Sequence, residues 1–194
     1  MILIEPAIEK KFGRSSLKKR EMGDFLAQAV AAAELSGAVS VLLTGDEEIR
    51  RLNWEFRHKD KSTDVLSFPA AESAGRARLA GDVAISVETA AREAAQREHP
   101  LALELKILLL HGVLHLAGWD HEVDTGEMAR KEEALRRRLG LAQGLISRAQ
   151  STEPRAQVPT LRFAQDGAPR SVPAQTHVRK SGPGAPRVVR GAKR

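Results

Sequence analysis

Short β-rich runs alternate with helical stretches from the N-terminus to about residue 148. Ile2-Leu3-Ile4 reads as a strand, and a helical pattern from about Ser15 to Glu34 follows it, closed by Ser36-Gly37. Ala38-Val39-Ser40-Val41-Leu42-Leu43 is a second strand by its β-branched content, and Asp46 is placed to cap a helix running through Ile49 and Leu52. Asp64 to Phe68 forms a third strand ended by Pro69, and Asp82 to Val87 a fourth, with apolar and polar positions alternating. The Ala- and Gly-rich loop between them is expected to be mobile. A helix from Glu88 to Glu98 precedes Pro100, which suits the first turn of the next helix, Leu101 to about Ala117. A last amphipathic helix, from about Thr125 to Leu139, stops at Gly140.

This order predicts an α+β fold, a small mixed sheet of about four strands covered by about five helices. One domain spans residues 1–148. From Ser151 the pattern disappears: six of the nine prolines lie there, among scattered Arg and Gly. Residues 149–194 are therefore expected to form a disordered basic tail, either a solvated extension or an auxiliary contact to RNA phosphates.

Charge changes this picture little. The chain carries +6 overall, but nine basic against two acidic residues follow residue 149, leaving 22 against 23 before it. The folded part is nearly neutral, so net charge does not select its partner. With 42% hydrophobic residues it can bury one real core. There is no cysteine, which excludes disulfides and thiolate ligands and suits a reducing cytoplasm. Met1-Ile2-Leu3-Ile4-Glu5-Pro6 lacks the parts of a secretory signal, and the apolar run Ile107 to Leu110 is too short to span a bilayer. A cytoplasmic protein without a membrane partner is expected.

The candidate chemistry lies in His111-Gly112-Val113-Leu114-His115-Leu116-Ala117-Gly118-Trp119-Asp120-His121, a HxxxHxxGxxH pattern. Residues four apart on a helix differ by only about 40° in direction, so the imidazoles of His111 and His115 can reach one ion. Gly118 can take the left-handed conformation that ends the helix, letting the chain return with His121. Three ligands leave a tetrahedral zinc one open position, the catalytic arrangement. A lone histidine on an apolar helix is ordinarily a core residue, but three of the six histidines fall within these eleven residues. The spacing matches the zinc helix of metzincin proteases, except that Gly112 stands where their Glu activates water. Asp120 and Glu122 could orient the third imidazole or accept a proton, or simply cap and solvate.

A second cluster, Arg50 to Asp64, holds Arg50, Arg51, Arg57, Lys59 and Lys61 just before the third strand. On charge alone it reads as a solvated helix end paired with Glu55 and Asp60, and its guanidinium groups also suit a phosphate. The blocks Arg57-His58-Lys59-Asp60-Lys61-Ser62-Thr63-Asp64-Val65-Leu66-Ser67-Phe68-Pro69, Gly81-Asp82-Val83-Ala84-Ile85-Ser86 and His111 to His121, in that order, resemble the bacterial YbeY family. The resemblance covers about residues 1–145. Phe56 and Trp119 stand where Tyr is frequent in the family, and the long tail also departs from shorter members.

The resemblance implies a single-strand-specific, metal-dependent endoribonuclease acting in ribosomal RNA maturation, notably at the 3′ end of the small-subunit RNA, and in ribosome quality control. It implies His111, His115 and His121 as ligands of one zinc and Arg57 as the catalytic arginine. Single-stranded ribosomal RNA, the pre-30S or 70S ribosome and small-subunit assembly proteins are the implied partners. Two other readings stay open here: an assembly or RNA-binding factor with a structural zinc, and a metzincin-like protease, against which Gly112 argues.

Overall fold

The computed structural model describes residues 1–70, 79–120 and 124–141, together with the backbone of 162–163 and 169–170. In chain order the elements are β1 (Ile2–Ile4), α1 (Pro6–Phe12), α2 (Arg14–Leu17), α3 (Lys19–Ala32), β2 (Ala38–Thr44), α4 (Asp46–Arg57), β3 (Val65–Pro69) and β4 (Leu79–Ser86). They continue with α5 (Val87–Gln96), α6 (Leu101–Leu116), α7 (Glu127–Arg138) and the two-residue strands β5 (Arg162–Phe163) and β6 (Pro169–Arg170). The main sheet has the order β1-β2-β4-β3, with β3 alone antiparallel to its neighbour. The fold is therefore α+β on a mixed four-stranded sheet, as the pattern predicts.

Strand alternation divides the sheet into two faces. Val41, Leu43, Val83 and Ile85 point into the main core, formed with α3, α5 and α6. Leu42, Leu66, Phe68 and Ala84 point the other way, against Ile49, Leu52 and Phe56 of α4. Every residue of α6 from Ile107 to Leu114 is buried, which makes it the central helix of the domain.

Several local expectations are corrected. The single helix expected over 15–34 is broken at Lys18, whose φ of 44° is left-handed; the break lets both Leu17 and Met22 bury completely. The short α1, opened by Pro6, is an addition, since one buried position, Ile8, gives no period to read. Asp46 is not a cap. Gly45 occupies that position, and the Asp46 backbone N–H donates instead to Oε2 of Glu88 at 2.8 Å. The Asp46 carboxylate accepts from Ser86 Oγ (2.5 Å) and Thr89 Oγ1 (2.7 Å) and pairs with Arg92 (2.8 Å), tying α4 to α5. Pro100 precedes α6 as its N-cap rather than opening its first turn.

The start of α6 is fixed by a buried acid. Glu104 accepts from Arg97 Nη1 and faces His99 Nε2, both at 2.8 Å. Burial pushes its carboxyl up, and Arg97 and His99 oppose that shift. At the other end Gly118 has φ of 88°, and its N–H and that of Trp119 return to the carbonyls of His115 and Leu114. The loop over 71–78 and the tail from 149 lie outside the described residues, apart from β5 and β6, which pair antiparallel. No single described helix is long and apolar enough to cross a membrane.

Candidate functional site

Four-residue spacing on α6 brings His111 and His115 together, ring centroids 4.7 Å apart and planes crossed at 78°. Their Nε2 atoms converge to 3.1 Å. Two nitrogens held at zinc-ligand distance on a tetrahedral ion stand roughly 3.3–3.4 Å apart, so the pair fits two positions of such a site. Its donors are nitrogen, one of the two donor types, nitrogen and oxygen, left to a chain without cysteine. His111 is 7% exposed, buried where the helix meets α7, while His115 is half-buried. His121 lies outside the described residues, and among those described no cluster of three metal-binding side chains forms.

Behind the pair stands a residue that lies outside the histidine motif. Glu132 on α7 places Oε2 3.0 Å from His111 Nδ1, and its other oxygen accepts from Arg136. The available signal was positional: Glu132 shares the buried face of α7 with Met128 and Leu135, an acid where the helical period calls for an apolar side chain.

Gly112 meets the sheet. A Cβ there would lie 2.8 Å from Val83 Cγ1, so this side of α6 is pressed against the sheet and has no space for a carboxylate. The Gly112 carbonyl accepts from Ser67 Oγ at 3.2 Å. A metzincin-type base at this position is therefore excluded by packing as well as by identity. Asp120 accepts the Asp124 N–H at 3.2 Å through its backbone carbonyl, and Glu122 is outside the described residues. Lys131 Nζ sits 5.8 Å from the centroid of Trp119, linking α7 to the turn after α6.

Arg57 is the half-buried last residue of α4, a helix that packs on the face of the sheet opposite α6. The strand shared by both layers is β3. Phe56, beside Arg57, meets Phe68 edge-on with centroids 5.2 Å apart, and Ser67 makes the bond to Gly112. Phe56 is thus a core ring, which suits an apolar residue at that position.

His58 ends α4 in the left-handed region, φ 56°, and its ring meets Trp54 at 80° with centroids 6.2 Å apart. Trp54 is 56% exposed, in contrast to the buried Phe56 two residues on. The segment after it is pinned to the helix: Asn53 Nδ2 donates to the Lys61 carbonyl (2.8 Å), the Lys59 N–H to the Asn53 carbonyl (3.2 Å), and Arg50 grips Asp60 at 2.6 and 2.9 Å. Arg50 holds the Asp60 carboxyl below the usual carboxylate range. An exposed aromatic pair, Trp54 and His58, is thus followed within three residues by Lys59 and Lys61 on a segment tied back to α4, with the half-buried Arg57 at the helix end.

These features define a class: an α+β domain whose central helix carries a carboxylate-backed imidazole pair, with an arginine-bearing helix across the sheet. The chain belongs to the endoribonuclease YbeY family, whose model matches residues 8–140. It is 48% identical over 134 residues to the endoribonuclease YbeY of Koribacter versatilis, covering 69% of this chain and 86% of that relative. The endoribonuclease YbeY of Solibacter usitatus is 54% identical over 110 residues, 57% of this chain and 71% of the relative. A Thermotoga maritima protein with a solution structure is 29% identical, with a TM-score of 0.48 over 72% of this chain and 89% of the other.

Proposed function

We propose that this chain is a cytoplasmic, zinc-dependent endoribonuclease that cuts single-stranded ribosomal RNA, maturing the 3′ end of the small-subunit RNA and acting in ribosome quality control. Its partners are then the pre-30S or 70S ribosome and small-subunit assembly proteins. Family membership supports RNA cleavage. The observation that carries the metal is the 3.1 Å convergence of the His111 and His115 Nε2 atoms, with the Nδ1 of His111 already engaged by Glu132.

His111, His115 and His121 would hold one zinc, which supplies Lewis-acid polarisation to the scissile phosphate. Arg57 binds the phosphate by paired N–H donation and offsets the negative charge that grows as a fifth oxygen joins phosphorus. Trp54 and His58 offer ring faces to bases, and only unpaired bases expose theirs for stacking, which supports single-stranded RNA as the substrate. The surrounding Arg and Lys side chains hold the backbone without reading sequence.

The test incubates a labelled single-stranded RNA carrying the small-subunit 3′ end with zinc-loaded chain, chelator-stripped chain and His115→Ala. Only the loaded parent is expected to cut it. Equal cleavage by all three would trace the activity to a contaminant and overturn the proposal.

A further inference from the structure

We infer that Glu132 is a positioning residue of the histidine site: from α7 it fixes which nitrogen of His111 carries the proton and where the other one points. The inference rests on the metal reading for its purpose, but its first consequence concerns the bare imidazole. A carboxylate only accepts hydrogen bonds, so the 3.0 Å contact makes Nδ1 of His111 the donor. In the neutral ring Nε2 then keeps its lone pair, and that is the atom directed at His115.

The carboxylate is itself held. Its Oε2 takes His111 and its Oε1 takes Arg136, a residue one turn along the same helix, so rotation about the last side-chain bond would break both contacts. Glu132 and His111 side chains are 11% and 9% exposed, and that of Arg136 is 16% exposed. Burying an acid in such a place costs stability unless it is fully paired, and Arg136 alone would supply a partner on α7. The second oxygen is committed to the imidazole. Carboxylate–histidine pairs of this kind orient metal ligands and raise their basicity, and their loss typically costs about 10- to 100-fold in metal affinity.

The experiment uses the full chain and two readouts. Nitrogen-edited NMR of the metal-free protein is expected to show the Nδ1–H tautomer for His111, lost in Glu132→Ala. Cobalt titration is expected to show affinity lower by about 10- to 100-fold in Glu132→Ala, with an altered visible spectrum. Glu132→Gln, which keeps one acceptor oxygen, is expected to retain part of both. An Nε2–H tautomer in the parent overturns the inference. So does parental cobalt affinity and spectrum in Glu132→Ala or, if that variant does not fold, in Glu132→Gln. A parent that shows the Nδ1–H tautomer yet takes up neither zinc nor cobalt overturns the metal reading instead.

Discussion

A Cβ built on Gly112 would stand 2.8 Å from Cγ1 and 3.2 Å from Cγ2 of Val83, with Ser67 Oγ also at 3.2 Å. At this point the histidine helix contributes no side chain of its own, and its backbone lies directly on the Val83 and Ser67 side chains of the β3–β4 pair. Gly112→Ala must push α6 off the sheet or displace Val83 within a packed core. Overpacking of this kind costs about 1–3 kcal/mol, so the variant is expected to unfold at lower denaturant concentration than the parent. Gly112→Glu adds a buried charge and should yield little folded protein, and no peptidase. An unchanged midpoint for Gly112→Ala would mean that the helix and sheet have room to separate.

The parts of this arrangement that depend on local repetition were legible in the sequence. Alternation marked the two faces of the fourth strand, four-residue spacing paired His111 with His115, and Gly118 marked the helix end. What escaped is tertiary. Gly112 registers in sequence as a missing base, whereas its neighbour Val83 supplies the packing reason. Glu132 lies 21 residues from His111, and no local rule connects them. Asp46 has the chemistry of a cap, but Ser86, Thr89 and Arg92 from another part of the chain compete for its carboxylate and win. The Lys18 break follows from burying Leu17 and Met22 together, which a helical period cannot anticipate.

On the proposed function, Arg57 serves the phosphate rather than the metal or the core. Arg57→Ala is expected to slow RNA cleavage by about 100- to 1,000-fold, the usual cost of one oriented donor to a developing oxyanion. Zinc content should not change. Arg57→Lys keeps the charge without the planar fork and should recover only part of the rate. Full activity in the alanine variant, measured on the single-stranded substrate, would remove Arg57 from the mechanism.

Asp46 couples α4 to α5, and its pH dependence has a definite sign. Burial raises its carboxyl, but hydrogen bonds from Arg92, Ser86 and Thr89 outweigh that and leave it below its ordinary 3.8. A lowered folded value means the contribution is present above 3.8 and is lost as pH falls through the lower folded value. The parent should therefore be more stable than Asp46→Asn at neutral pH, with the gap closing in acid. Thermal unfolding of both proteins across pH 7 to about pH 2 checks this. A gap that stays constant throughout would show that the amide replaces the carboxylate without electrostatic loss.

Trp54 provides the test of substrate form. Its ring is exposed on a helix whose opposite face is core, and the pinned segment through Lys61 holds cations beside it. Stacking one base on an aromatic ring contributes about 1–3 kcal/mol, so Trp54→Ala should weaken binding of single-stranded RNA by roughly 5- to 150-fold. Duplex RNA, whose bases offer no face, should bind both proteins alike. Because the lost contact is not ionic, the salt dependence of binding should keep its slope, whereas removing Lys59 should reduce it. Fluorescence titration with matched single-stranded and duplex oligonucleotides at several salt concentrations separates these effects. Equal loss on both substrates would instead identify Trp54 as a support for the surrounding fold, and no loss on either would leave the ring outside the RNA path.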